Sequence, residues 1–482
     1  MNKIYRGTSQ VNTLEREIFL LRGSPLAMDE PLDKYLEENR DRFLEQLVEL
    51  VSIPSVSTDP AYRPAIRRAA EWVEAWCRRI GLESRVLETP GHPCVLARGP
   101  EVPGKPTILI YGHYDVQPAE DPERWRHPPF EPVIADGRIC GRGACDNKGQ
   151  LMVHLCALEA LQATSGLPLN VIVLVEGEEE TGSPNLPALL EEHRHELACQ
   201  VAVVSDTSTA VKGIPTVHYS LRGIVFLEIE IQVSSRDVHS GIYGGTLANA
   251  IQVLAKMCSK LHDEHFRVTV PGFYEGVLEI QDWERRLLQE LPFDEEEYAR
   301  WLGVPELVGE AGFTTNERRW FRPTIEFNGF SGGYTGNGSK TIVPSQAVLK
   351  LSARLVPDQD PDHVLGCLQR WFEAECPSFA RLEIRVGDRG YPYLLRREGS
   401  GGRYFEAAVI AVQEGFGRAP LFSRHGGTVP IVSTFRTALG VDTLLLGLGS
   451  PDDGVHSQNE KFELVNFYRG IRTAAALLRE LA

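Results

Sequence analysis

The chain has 482 residues, 42% of them hydrophobic and 24% charged, with a net charge of −16 from 50 basic and 66 acidic side chains. That length calls for two or more domains, and the acidic balance argues against nucleic-acid partners and against docking on an anionic membrane. The cysteines number nine, with no C-x-x-C pair, which argues against a disulfide framework or a thiolate zinc site and points to a reducing cytoplasm.

Residues 1–27 match no clear element and have no signal-peptide shape, so they read as a tail or an over-extended start. Apolar positions at helical spacing predict helices over Leu32 to Val51 and Arg63 to Ile80. Strands are expected at Ser84–Leu87 and Val95–Arg98, followed by the continuous apolar run Ile108-Leu109-Ile110, which reads as a strand buried on both faces. A turn-rich loop is expected from Glu120 to Gly141, then a helix from Gln150 to Ala163. Leu169–Val175 reads as a second buried strand, the region of Leu186–Glu196 as a helix, and Val201–Ser205 as a third strand, with Asp206 directly after it.

The pattern then changes. Leu227–Val233 and Val348–Leu355 alternate apolar and polar residues as half-exposed strands do. Helices are expected at Thr246–Lys260 and Pro361–Phe372, a strand at Leu382–Val386, and an irregular, charge-rich insertion from Arg267 to Arg322. This block reads as a small α+β domain, residues 219–390, inserted into an α/β domain formed by 1–218 and 391–482. In the returning part, a helix is expected at Tyr404–Glu414, a strand at Thr443–Leu446 and a helix at Phe462–Leu478.

The chemistry sits at strand ends. His113 and Asp115 follow the first buried strand, Glu178-Glu179-Glu180 the second and Asp206 the third, while Asp146 precedes a helix and His456 lies in a late loop. In open α/β sheets ligands bind beyond the carboxyl ends of the strands. A single acidic triplet is usually a solvated loop, but several such groups in one αβ-alternating half suggest a site. His113, Asp146, Glu180, Asp206 and His456 form an oxygen and nitrogen donor set suited to zinc, manganese or cobalt. Two divalent ions, three carboxylates and one hydroxide sum to zero charge, whereas one ion leaves the set negative. Asp146 is the choice for a bridging ligand, because its glycine-rich turn lets backbone approach closely. Glu179, left over beside the cluster, suits a general base for metal-assisted amide hydrolysis.

The motifs Gly-His-Tyr-Asp-Val-Gln-Pro from Gly112, Gly-Arg-Gly-Ala-Cys-Asp-Asn-Lys-Gly from Gly141 and Glu-Gly-Glu-Glu-Glu-Thr-Gly-Ser from Glu176 carry a resemblance, as do Arg-Asp-Val-His-Ser-Gly from Arg236, Gly-Gly-Tyr-Thr-Gly from Gly332 and Arg-Leu-Val-Pro from Arg354. The chain resembles the co-catalytic metallopeptidases of family 20, a group that includes carnosinase, cytosolic non-specific dipeptidase, acetylornithine deacetylase and glutamate carboxypeptidase, and within it the dipeptidase branch. The resemblance implies a mixed-sheet α/β zinc-peptidase catalytic domain with an inserted α+β, ferredoxin-like domain that acts as lid and dimerisation unit. It implies two divalent metal ions per subunit, with His113, Asp146 and Asp206 on one and Asp146, Glu180 and His456 on the other. It further implies Asp115 behind His113, Glu179 as general base, and Arg354 with Thr341, Gly427 and Thr428 around the substrate carboxylate. His239 is implied to reach the active site of the partner in a homodimer. Asn147 stands where the family carries a second Asp after a cis peptide, and His425 where relatives often carry an acid.

The expected activity is therefore metal-dependent hydrolysis of dipeptides by a cytoplasmic enzyme with no nucleic-acid or membrane partner. An N-acyl-amino-acid deacylase or carboxypeptidase on the same scaffold is the alternative enzyme. A non-catalytic peptide-binding relative is the alternative of another class; it has no need of a general base.

Overall fold

The computed structural model describes residues 29–397 and 399–482; the tail expected at 1–27 lies outside them. The chain divides into two compact units, one formed by Met1–Tyr219, Leu395–Ser423 and Thr434–Ala482, the other by Ser220–Leu394 and Arg424–Ser433.

The first unit is built on a mixed sheet. Its strands run in the order Glu83–Leu87, Cys94–Arg98, Asn170–Glu176, Thr107–His113, Val201–Ser208, Asp442–Gly449, Thr216–Leu221. Thr107–His113 pairs parallel with both Asn170–Glu176 and Val201–Ser208, and the latter pairs parallel with Asp442–Gly449. These central strands are almost wholly buried, which is why they read as unbroken apolar runs. The helix Lys148–Thr164 is buried on nearly every side from Lys148 to Leu161, and packs with Leu464–Leu481, itself packed with Ser400–Phe416.

The second unit has the strand–helix–strand–strand–helix–strand order of a ferredoxin-like fold. Its antiparallel sheet runs Thr324–Gly332, Gln346–Leu355, Gly223–Gln232, Arg381–Gly390, which is the second, third, first and fourth strand in turn. The helices Ala250–Cys258 and Pro361–Glu375 pack on the sheet through a core that includes Leu227, Ile229, Leu254, Leu351, Leu368 and Phe372. The opposite sides of the strands carry Glu228, Glu230, Lys350 and Arg385.

Several expectations are corrected. The long first helix is two, Glu30–Glu38 and Arg40–Val51, because the Asn39 amide bonds the Tyr35 carbonyl while its oxygen takes two bonds from Arg42. The loop before Gly141 holds a hairpin, Val133–Ala135 with Arg138–Cys140, closed by Asp136-Gly137 with φ of 50° and 76°, the type I′ geometry that Asp-Gly favours. The insertion expected to be irregular contains the helices Asp282–Glu290, Glu295–Leu302 and Thr315–Phe321, the first and last opened by capping boxes. The segment Arg424–Ser433, expected with the α/β domain, packs in the second unit: Arg424 pairs with Glu284 at 2.7 Å and stacks over Phe321.

Candidate active site

Parallel pairing sets the geometry of the first unit's site. His113 lies opposite Glu176 and Tyr111 opposite Val204, so the first two strands end level with each other, beside the stretch of the third that follows Val204. Asp206 does not follow its strand as expected; it lies within Val201–Ser208. There the pairing with Asp442–Gly449 slips between Leu445 and Gly447, opposing Ser205 and Asp206 to one residue. A bulge of this kind re-aims a side chain.

The side chains converge. His113 Nε2 is 3.1 Å from Asp146 Oδ1, 3.7 Å from Asp206 Oδ2 and 4.0 Å from Glu179 Oε2. His456 Nε2 is 3.0 Å from Asp146 Oδ2 and 3.2 Å from Glu180 Oε2. Two groups have ligand atoms close enough to share an ion: His113 with Glu179 and Asp206, and His113 with Asp146 and Glu180. His113 and Asp115 are fully buried, while the His456 ring is half open to solvent and its backbone adopts a positive φ of 59°.

A second layer holds these groups. Asp115 lies 3.3 Å from His113 Nδ1 and accepts the backbone N–H groups of Glu179 and Glu180 at 3.3 and 3.1 Å. It thereby fixes the ring and the acidic turn together, as a partner behind a ligating His does. Asn147 donates to Asp206 Oδ1 at 2.8 Å and to the Ser205 carbonyl at 2.7 Å, and the Asp146–Asn147 peptide is cis. Gln117 donates to Glu180 Oε2 at 2.8 Å. Glu460 is wholly buried and accepts from the backbone N–H groups of Gly143, Cys145 and Asp146 and from Arg142, at 2.8–3.0 Å. Sequence reasoning assigns no role to Gln117 or Glu460, although Gln117 stands in the motif from Gly112 and Glu460 ends the loop Gly454–Glu460 that carries His456. Their partners are backbone groups or distant side chains, which residue type alone does not disclose.

Charge in the cluster is unbalanced. Burial, with the neighbouring carboxylates, pushes Glu179 and Glu180 up from the usual carboxylate range. Asp146 is held low, because the imidazoles of His113 and His456 outweigh its burial. Hydrogen bonds to Asp146 and Glu180 raise His456 to about 10. A buried cluster whose carboxylates crowd one another and raise the imidazole beside them is a donor set short of cations, and divalent ions fit it.

The remaining expected site residues lie in the second unit. His239 pairs with Ile342 in a two-residue ladder, and its Nε2 is 3.5 Å from the Thr341 hydroxyl. Arg354 donates to Thr428 Oγ1 at 2.9 Å, and Thr428 donates to the Arg222 carbonyl at 2.6 Å. The Gly427 carbonyl accepts the Arg222 N–H at 3.0 Å. The structure thus gathers Thr341 with His239, and Arg354 with Gly427 and Thr428.

A parallel-strand edge that gathers imidazoles and carboxylates without a thiolate is the arrangement of a metallohydrolase centre. The family model of peptidase family M20/M25/M40 matches residues 109–480, and the chain belongs to that family: it is an enzyme acting on peptide bonds. It is 32% identical over 472 residues to the Cys-Gly metallodipeptidase DUG1 of Candida albicans, covering 93% of this chain and 96% of that one. It is 29% identical to the human Beta-Ala-His dipeptidase, covering 97% and 96%. Among solved structures it resembles the M20 family metallo-carboxypeptidase Sso-CP2 of Sulfolobus solfataricus, at 32% identity and a TM-score of 0.81, covering 91% and 99%. No helix among the described residues is long and apolar enough to cross a membrane.

Proposed function

We propose that the chain is a broad-specificity dipeptidase working with two divalent metal ions per subunit, zinc above manganese or cobalt. His113, Asp146 and Asp206 hold one ion, and Asp146, Glu180 and His456 the other. The observation that carries this reading is Asp146, which turns one carboxylate oxygen to His113 and the other to His456. A carboxylate so placed between two imidazoles suits a bridge between two ions.

Ions held there supply Lewis acidity and lower the pKa of water from about 15.7 to roughly 7. Glu179 takes the proton of the attacking water and returns it to the departing amine; burial, which already lifts its carboxyl, suits it to both transfers. Asp115 holds the His113 ring so that Nε2 faces the cluster. Arg354, Thr341, Gly427 and Thr428 grip the substrate carboxylate; the Arg354 guanidinium, half-buried, bonds Thr428 and has no acid partner among the described residues. His239 donates a hydrogen bond to the oxyanion in the site of the partner subunit, in a homodimer formed through the inserted unit, which also serves as a lid. Nine free cysteines suit a reducing cytoplasm.

The decisive assay presents dipeptides, tripeptides and N-acyl amino acids to protein loaded with zinc, manganese or cobalt. Dipeptides should be cleaved fastest, chelation should abolish turnover, and added metal should restore it. Turnover that survives full chelation would end the metal reading. A carboxypeptidase is the second reading, favoured by the likeness to Sso-CP2. Faster cleavage of tripeptides and N-blocked peptides than of free dipeptides would select it.

A further inference from the structure

Glu460 stands four residues beyond His456 and is wholly buried. Its Oε1 accepts the backbone N–H groups of Cys145 and Asp146 at 2.9 and 3.0 Å, and its Oε2 that of Gly143 at 3.0 Å. Its own carbonyl accepts the Gly141 N–H at 2.9 Å. A turn that aims several N–H groups at one point is an anion cradle, and here a carboxylate of the same chain fills it. Gly143, at φ +83°, allows the turn. The cradle ends at Asp146, so the loop that carries His456 and the turn that carries Asp146 are fastened to each other.

Arg142 Nη1 closes the pair with Glu460 Oε2 at 2.8 Å, and both side chains are buried. The charge of Glu460 is thereby matched and adds nothing to the crowded carboxylates beside it. Arg142 Nη2 donates onward to the Pro118 carbonyl at 3.2 Å. Pro118 follows Gln117, whose amide orients Glu180 Oε2 at 2.8 Å. Asp146, His456 and Glu180 therefore all trace back to one buried ion pair. His113 and Asp206 do not: Asp115 lies against the first and Asn147 donates to the second. Asp115 also accepts the Glu180 N–H, but that holds the backbone, while Gln117 turns the carboxylate.

We propose that Glu460 and Arg142 are positioning residues for one ion of the two, the one assigned to Asp146, Glu180 and His456. The proposal rests on the two-ion reading given above. Both residues act through the ligands, and the site has two separately supported halves. Asp146 serves both ions, so the other ion feels the loss of the pair through one ligand of its three. This ion feels it through all three. Partners that orient ligands in this way are worth about 10–100-fold in metal affinity.

The test titrates the full-length protein, stripped of metal, with zinc against a chromogenic chelator, and elemental analysis counts the ions. Wild type should hold two. Glu460→Gln should weaken one ion by about 10–100-fold and the other far less. Arg142→Gln, which leaves the N–H cradle filled by Glu460, should do the same and keeps the test open should Glu460→Gln not fold. Two single-ion backgrounds tell which ion is affected. In Asp206→Asn, where the remaining ion is the one held by Asp146, Glu180 and His456, adding Arg142→Gln should weaken zinc by that full factor. In Glu180→Gln, where the other ion remains, it should change zinc affinity little. A general loosening of the fold would weaken the remaining ion alike in both backgrounds and would overturn the proposal. So would unchanged affinity in the Asp206→Asn background. Wild type holding fewer than two ions would instead end the two-ion reading itself, and this proposal with it.

Discussion

Asn147 donates its side-chain amide to Asp206 Oδ1, leaving Oδ2 turned toward His113. A neutral donor here orients the carboxylate without adding a negative charge to a cluster already rich in them. Asn147→Ala should free Asp206 and weaken metal binding by about 10–100-fold. Competition with a chromogenic chelator measures this directly, and an unchanged affinity would remove Asn147 from the site.

The adjacent glutamates should part company. Glu179→Gln should keep both ions and lose on the order of 10²–10⁴ in kcat. Glu180→Gln should lose one ion, because His456 and Gln117 both aim at its carboxylate. Elemental analysis beside steady-state rates separates the two. Near-normal turnover in Glu179→Gln would refute the general-base role.

Glu176 titrates unusually. Burial raises it to about 7, against hydrogen bonds from Tyr111 at 2.6 Å and Ser183 at 2.8 Å. A carboxyl raised on folding favours the fold most below its unfolded pKa of 4.5 and loses that contribution as pH rises through 7. Glu176→Gln keeps both acceptor bonds without titrating. Wild type should therefore lose about 3 kcal/mol relative to the variant between pH 4.5 and 7. Denaturant midpoints across that range give the difference; a flat one contradicts the assignment.

The carboxylate grip predicts a substrate rule. Dipeptides amidated at the C-terminus should be cleaved far more slowly than free acids, and Arg354→Ala should erase most of that preference while lowering kcat/KM by about 10²-fold. Equal rates on acid and amide would rule the grip out.

His239 offers a test across chains. His239→Ala and Glu179→Ala homodimers should each be nearly inactive. Unfolded and reassembled together, they should regain about a quarter of wild-type activity, since half the dimers are mixed and each carries one whole site. A mixture as dead as its parents, with mixed dimers shown to be present, argues against the shared site.

The strand-edge cluster is legible in the sequence because buried parallel strands write themselves as apolar runs, and whatever follows each run must surface at one edge. The hairpin at Val133–Cys140 is not, since three residues per strand are too few for a period to emerge; only Asp136-Gly137 signals it. The helices of Arg267–Arg322 are short and heavily charged, so the capping boxes of the first and last are a better guide than hydrophobic spacing. Glu460 escapes altogether. Its meaning lies in three backbone N–H groups more than 300 residues away in sequence. Asp206 is read as a residue after its strand because a bulge leaves no mark on composition.

The pairing of Arg424 with Glu284 bears on how the protein is made. Both side chains are almost wholly buried, and separating such a pair costs about 3–5 kcal/mol. Ser220–Leu394 includes the carboxylate but not this guanidinium, which arrives only after the chain has run back through Leu395–Ser423. During synthesis, the Glu284 carboxylate therefore emerges well before the guanidinium that pairs with it. A gene fragment cut at Leu394 should yield a protein that expresses but melts early, and supplying Arg424–Ser433 as a fused tail should raise its melting temperature.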